Sequence, residues 1–196
     1  MRQWKDGIFI SEEKYAKNIV KIFDLDSKKH TSTPMSSSIK LSLDLASVVV
    51  DLTLYRSMIG SLLYLIASSR GIAFNVEVCA QFQAAPKEFH LTIVKRIIWY
   101  ISGTSDYGIW YSRDLNECLA GYLDADWVGC INDRKSTSGG CFYLGNNLVS
   151  WMSKKQNSIS LSTIEAKYIA VGSCYVDEEA LTWLWNHSRH YVCVLW

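Results

Sequence analysis

Two prolines in 196 residues leave few fixed interruptions, so long elements can run uninterrupted. No CxxC pair occurs among the six cysteines at 79, 118, 130, 141, 174 and 193. With no regular spacing either, they suit reduced, mostly buried thiols of an intracellular protein better than a disulfide frame. No run approaches ~18 apolar residues, and residues 1–7 lack an apolar signal core, so the expectation is a soluble, intracellular chain, cytoplasmic or nuclear, with no membrane partner. Net charge is nearly absent, at +1. No whole-molecule field draws nucleic acid, and any such binding must come from a local cluster. What remains is 49% hydrophobic residues, enough for a core in one ordinary domain or two small ones.

Taken in order, Ile8-Phe9-Ile10 reads as a short strand. Ser11 is placed to cap a helix with Glu12 and Glu13 in its first turn and an apolar stripe of Tyr15, Ile19, Ile22 and Phe23. Residues 28–38, with Lys28-Lys29 and Pro34, read as a solvated linker. From Leu54 the spacing of Tyr55, Met58, Ile59, Leu62, Leu63 and Ile66 predicts a largely buried helix. A second helix is expected over 72–82, with Phe74, Val78 and Phe82 inward. A third opens at Pro86 and runs to about Ile101 on a stripe of Leu91, Val94, Ile97, Ile98 and Ile101. Lys87, His90, Lys95 and Arg96 decorate that helix, usually only a solvated face but one able to track phosphates.

Residues 107–111 read as a strand, 113–117 as a turn, and 118–123 as a strand delivering Asp124 and Asp126. If that strand ends at Asp124 the two carboxylates diverge. An acid at a strand end is either a turn former or the rigid hard-oxygen ligand that Mg²⁺ requires. A polar loop is expected over 134–140, a hairpin over 141–151, a basic loop over 153–157 and a short strand over 158–161. Ser162 or Thr163 then caps a helix through Glu165, Tyr168, Ala170 and Val171. The expected fold is α+β: a helical region over 1–112, a three-stranded antiparallel meander with one packed helix over 113–174, and a divergent tail over 175–196.

Four runs carry a resemblance: 55–65 (YRSMIGSLLYL), Asp124-Ala125-Asp126-Trp127, 133–139 (DRKSTSG) and 150–156 (SWMSKKQ); residues 162–168 (STIEAKY) are similar to a fifth. Together they resemble the C-terminal part of the Pol polyprotein of copia-type LTR retrotransposons. The resemblance implies a reverse transcriptase thumb and connection over 1–112 and a truncated RNase H domain after it, within a parent that synthesises DNA on RNA and degrades the RNA of RNA–DNA hybrids. The polymerase palm lies before such a region, and no Tyr-X-Asp-Asp run occurs here, so these residues carry no polymerase site.

The RNase H resemblance implies Mg²⁺ or Mn²⁺ in the parent, two ions about 3.5–4 Å apart. Asp124 matches the first carboxylate and metal ligand. The helix Glu is expected where Lys167 stands, and an ammonium repels the cation it replaces a ligand for. Glu165, ~200° round the helix, is a poor substitute. Asp126, Glu178 and Glu179 are the remaining acids for residual cleavage. The preferred expectation is a chain without autonomous catalysis and without a stably bound ion. His187, His190 and Cys193 have ligand-like spacing but no matching second pair. Lys87, Lys95, Arg96, Arg134, Lys135, Lys154 and Lys155 are candidates for weak, sequence-indifferent contacts to an RNA–DNA hybrid, alongside the rest of the polyprotein as partner. With no later strand beside it, the strand 118–124 is expected to keep an open edge, and residues 54–101 to be the most persistent part.

Overall fold

The computed structural model describes residues 1–25, 30–36, 41, 48–113, 118–130, 132–176 and 190–195, with backbone alone at 70, 174–176 and 190–195. The chain forms two compact units: Met1 with Ile10–Ile109, and Arg2–Phe9 with Trp110–Trp196. Residues 2–9 and 110–112 thus lie in the second unit. No described helix is long and apolar enough to cross a membrane.

Among the described residues the first unit holds four α-helices: α1 (Glu13–Ile22), α2 (Leu52–Ile66), α3 (Ala73–Ala80) and α4 (Glu88–Gly103). The helices are present where the periodicity places them; the inward faces of α2 and α4 largely follow it, while those of α1 and α3 are rotated. In α1, Ala16, Ile19 and Val20 are buried while Ile22 is 61% exposed. Its N-cap is Glu12, not Ser11, and carries no side-chain cap bond. Its far end closes as a Schellman turn, with Leu25 N–H donating to Val20 O and Asp24 N–H to Lys21 O. Asp24 takes the left-handed φ of 51° that this turn requires.

α2 starts earlier than expected because the Asp51 carboxylate accepts from Thr53 N and Leu54 N at 2.8 and 3.3 Å. Tyr55, Met58, Ile59, Leu62 and Leu65 are buried, and Leu63 faces solvent. The Tyr55 hydroxyl donates to Cys79 O at 2.8 Å. Burial raises the Tyr55 hydroxyl and pushes the Cys79 thiol up to about 12. A 3₁₀ turn (Arg70–Ile72) takes the place of the first turn of the helix expected from residue 72. α3 accordingly buries Ala73, Val76 and Cys79 and leaves Phe74 exposed.

α4 follows Pro86 and buries Ile93, Val94, Ile97, Ile98 and Ile101. His90, expected on its solvated face, is fully buried. Its Nδ1 accepts Lys87 N–H at 3.1 Å, and its ring stacks on Phe82 at 4.1 Å. The imidazole therefore closes the helix start. Residues 26–29 and 37–40, which include both ends of the expected linker, lie outside the described residues, and residues 30–36 between them form neither helix nor strand.

Among the described residues the second unit contains seven strands. β1 (Arg2–Gln3), β2 (Gly7–Ile10) and β3 (Ile109–Ser112) form one sheet in that order. β4 (Cys118–Asp126), β5 (Thr137–Leu144), β6 (Asn147–Lys155) and β7 (His190–Leu195) form the other, in the order β6-β5-β4-β7. α5 (Thr163–Val176) packs on β4 and β5 through Ala166 and Ala170, both fully buried, and Val171 beside the Leu123–Phe142 core. The β5–β6 hairpin turns at Gly145-Asn146, where Gly145 takes a φ of 59°. A paired amide, Asn147 to both Ser112 N and Ser112 O at 2.7 and 2.9 Å, fastens β3 to the start of β6.

Four expectations change here. The tail does not leave β4 open, because β7 pairs with it in parallel, from Cys118 opposite His190 to Leu123 opposite Leu195. The meander is thus part of a four-stranded mixed sheet. β4 runs on through Asp126, whose partner is Thr137, so Asp124 and Asp126 share a strand face rather than diverging. Thr137–Gly140 and Ser153–Lys155, read as loops because they are polar, are strand residues: Thr137, Ser138 and Gly139 pair with Lys155, Lys154 and Ser153, and Gly140 with Met152. Residues 158–161 are not a strand, since their hydrogen bonds go to side chains instead.

The His90→Ala variant should destabilise the first unit by about 2–4 kcal/mol, combining a lost cap with a cavity against Phe82. Urea unfolding measures it, and a loss under about 0.5 kcal/mol would show the buried imidazole to be dispensable.

Candidate functional site

The candidate site lies at the carboxylate end of β4, inside the second unit. The strand alternates strictly: Leu119, Gly121 and Leu123 are buried, while Asp124 and Asp126 are exposed. Beyond Asp126 the chain turns at once. Gly129 lies so close to the Asp126 carboxylate that any Cβ at 129 would overlap it. The Trp127 indole donates to Ser160 O at 3.1 Å. Val128, held at a φ of 53°, donates its N–H to the buried Ser136 hydroxyl at 3.2 Å.

The loop from Val128 to Ser136 is held from within and from β6. Cys130 N donates to Lys135 O and Arg134 N to Cys130 O. Lys155 Nζ reaches Asp133 Oδ2 at 2.7 Å and the Cys130 sulfur at 3.2 Å. Burial pushes the Asp133 carboxyl upward, but hydrogen bonds from Lys155, Cys130 and Lys135 N–H, with the lysine charge, outweigh it and hold the group at about 2. Desolvation likewise pulls Lys155 down, and its bonds to Asp133 and Cys130 prevail and raise it.

Gln156, missed in the sequence, organises the other side. It is buried, and its Nε2 donates to Ser138 Oγ at 3.0 Å and Ala166 O at 2.8 Å. Its Oε1 accepts the Ser160 hydroxyl at 3.0 Å, and its backbone N–H donates to Ser136 O. A glutamine after a basic stretch offers no sequence signal for this role. Ser162 caps α5 as expected, accepting Glu165 N–H at 3.1 Å, while Glu165 Oε2 accepts Leu161 N–H at 2.7 Å.

The structure brings Asp124 and Lys167 together, with Lys167 Nζ 3.7 Å from Asp124 Oδ1. Side-chain exposures are 34% for the lysine and 65% for the aspartate. Glu165 is engaged at the helix start. Among the described residues no three His, Cys, Asp or Glu side chains converge. The donors described there do not fit a two-ion carboxylate cage, since the cation beside Asp124 is the Lys167 ammonium. Asp177, Glu178, Glu179 and His187 lie outside the described residues; His190 and Cys193 fall on β7.

The basic candidates divide between the units. On α4, Arg96 donates to Thr33 O and Thr33 Oγ1 at 3.2 and 3.0 Å, so its guanidinium anchors a loop. Lys87 and Lys95 are half-buried. In the second unit Lys155 is committed to Asp133, Lys135 is half-buried, and Arg134 and Lys154 are exposed. Arg134 holds a φ of 57°. Lys154 borders an open groove of about 440 Å³ with Asn157, Ser158 and Ser173.

No family model matches the chain, and no solved structure matches it. Curated relatives do. It is 37% identical over 167 residues to the retrovirus-related Pol polyprotein from transposon RE1 of Arabidopsis thaliana, covering 85% of this chain and 11% of that one. It is 35% identical over 170 residues to the corresponding polyprotein from transposon TNT 1-94 of Nicotiana tabacum, covering 83% and 13%. An uncharacterized mitochondrial protein of Arabidopsis thaliana is 31% identical over 177 residues, covering 90% of this chain and 72% of that protein. The chain thus spans only 11% and 13% of the length of these two polyproteins.

Because the Asp133 carboxyl is depressed by its partners, the stability it contributes is complete above about pH 4 and is lost as pH falls through about 2. Thermal melts of the parent and Lys155→Met between pH 6 and 2 should show a gap that is constant above about 4 and closes below it. An unchanged gap at the acid end would assign the loop's stability to something other than this pair.

Proposed function

Since the chain belongs to the retrovirus-related Pol polyproteins of copia-type transposons, we propose that residues 1–112 correspond to the thumb and connection of the reverse transcriptase, and residues 113–174 to an RNase H-like domain whose cleavage centre is silent. The sheet order supports the RNase H-like part: three antiparallel strands, then a parallel strand beside the first, reached after α5. One observation carries the silence. The Lys167 ammonium stands 3.7 Å from Asp124, where RNase H chemistry needs a second carboxylate. A fixed positive charge there opposes a divalent cation by Coulomb repulsion and leaves Asp124 as a lone ligand. Glu165 does not compensate, because its carboxylate accepts the Leu161 N–H. The setting implied is intracellular, in the cytoplasm or nucleus, with the rest of the polyprotein as partner.

Purified chain incubated with a labelled RNA–DNA hybrid and Mg²⁺ or Mn²⁺ should release no product above buffer. Cleavage that disappears in Asp124→Asn would sink this reading.

The exposed Arg134 and Lys154 favour a second property, contact with the phosphates of a hybrid. Lys154 has hydroxyl and amide neighbours along its groove. Such contacts are indifferent to sequence and release counterions. With two or three phosphates engaged, affinity should fall roughly tenfold or more between about 50 and about 200 mM salt. Affinity flat across that range would rule out the phosphate model.

A further inference from the structure

We infer that the Lys167 ammonium is a built-in counter-ion standing in for the divalent cation, so that the carboxylate end of β4 is closed to metal by charge while its backbone frame stays intact. The inference deepens the RNase H-like reading and rests on it.

The frame is the first part. Ala166 and Ala170 are fully buried against the sheet, and Ala166 O accepts the Gln156 amide, so the rotation of α5 is set by packing. With ~100° per residue, that rotation swings position 165 about 200° away from 167. Position 167 therefore reaches β4, and position 165 serves the helix start, where Glu165 meets Leu161 N–H. At position 167 it is the sign of the charge, not the backbone placement, that departs from what a cation site needs.

The charges are the second part. Asp124 and Asp126 occupy one strand face, and the Asp126 carboxylate is backed by Gly129, whose missing Cβ leaves it room. Two exposed carboxylates with one tethered ammonium leave a local balance of −1. The ammonium is covalently held 3.7 Å from Asp124 Oδ1, so it competes at a high effective concentration with any ion in solution. Replacing it by a carboxylate shifts the local charge by two units and supplies a second hard-oxygen ligand at the same backbone position.

Mn²⁺ titration of the full chain at low ionic strength, read by electron paramagnetic resonance, tests this without relying on activity. The parent chain should bind no more Mn²⁺ than Asp124→Asn. Lys167→Met, which removes the charge at similar length, should bind more tightly than the parent, and Lys167→Glu at least about tenfold more tightly. Both gains should vanish when Asp124→Asn is added. Circular dichroism confirms folding of each variant, and if Lys167→Glu does not fold, Lys167→Met decides alone. Parent binding that depends on Asp124, no gain in the variants, or a gain surviving Asp124→Asn would each overturn the inference. These outcomes are separable from the silent-centre reading, which falls only if the parent chain cleaves a hybrid.

Discussion

The buried carboxamide of Gln156 is the constraint on which the second unit's geometry depends. Its three side-chain partners belong to β5, to the segment before α5, and to α5 itself. Each bond exchanges water for protein and contributes only about 1 kcal/mol net. Leaving any of these buried groups unpartnered costs more, about 1–3 kcal/mol each, which makes the arrangement close to all-or-none. Among the described side chains the apolar core beneath is small, centred on Leu123 and Phe142, and polar satisfaction carries much of the positional information there. The Trp127 indole bond to Ser160 O adds a second link from the end of β4 to the same segment.

That placement decides the character of the carboxylate end. An exposed pair such as Lys167–Asp124 adds only about 0–1 kcal/mol to stability. Its weight lies in the local field, where one lysine offsets half of the charge of Asp124 and Asp126. The opposite balance holds at Lys155–Asp133, where a 2.7 Å contact and the Cys130 sulfur tie a strained loop to β6. One pair sets chemistry and the other sets shape, although both join a lysine to an aspartate.

The first unit is held differently. Tyr55, Ile59, Leu62, Val76, Val94, Ile97 and Ile98 are among a continuous set of buried side chains from all four helices. Polar groups appear there as closures rather than organisers: Asp51 at the start of α2, His90 at the start of α4, and Arg96 on Thr33. A buried ring in a basic stretch is the clearest case where composition misleads. Lys87, Lys95 and Arg96 lie near His90 in the chain, but the helix turns His90 alone fully into the core.

Much was legible in the residues themselves. Helix positions followed from apolar spacing, the Gly145-Asn146 turn from its residue types, the Ser162 cap from its hydroxyl, and the family from runs such as Asp124-Ala125-Asp126-Trp127. These are local properties, set by backbone preferences and period. Other features are sums over distant partners. The inward faces of α1 and α3 were rotated because a helix turns toward whatever packs on it. Strand character at Thr137–Gly140 came from pairing with β6, not from propensity. The tail became β7 because β4 had an edge to fill. Lys167 was legible as a departure from a carboxylate pattern. Its proximity to Asp124 was decided only by tertiary structure, because the packing of Ala166 and Ala170 fixes which face of α5 meets the strand.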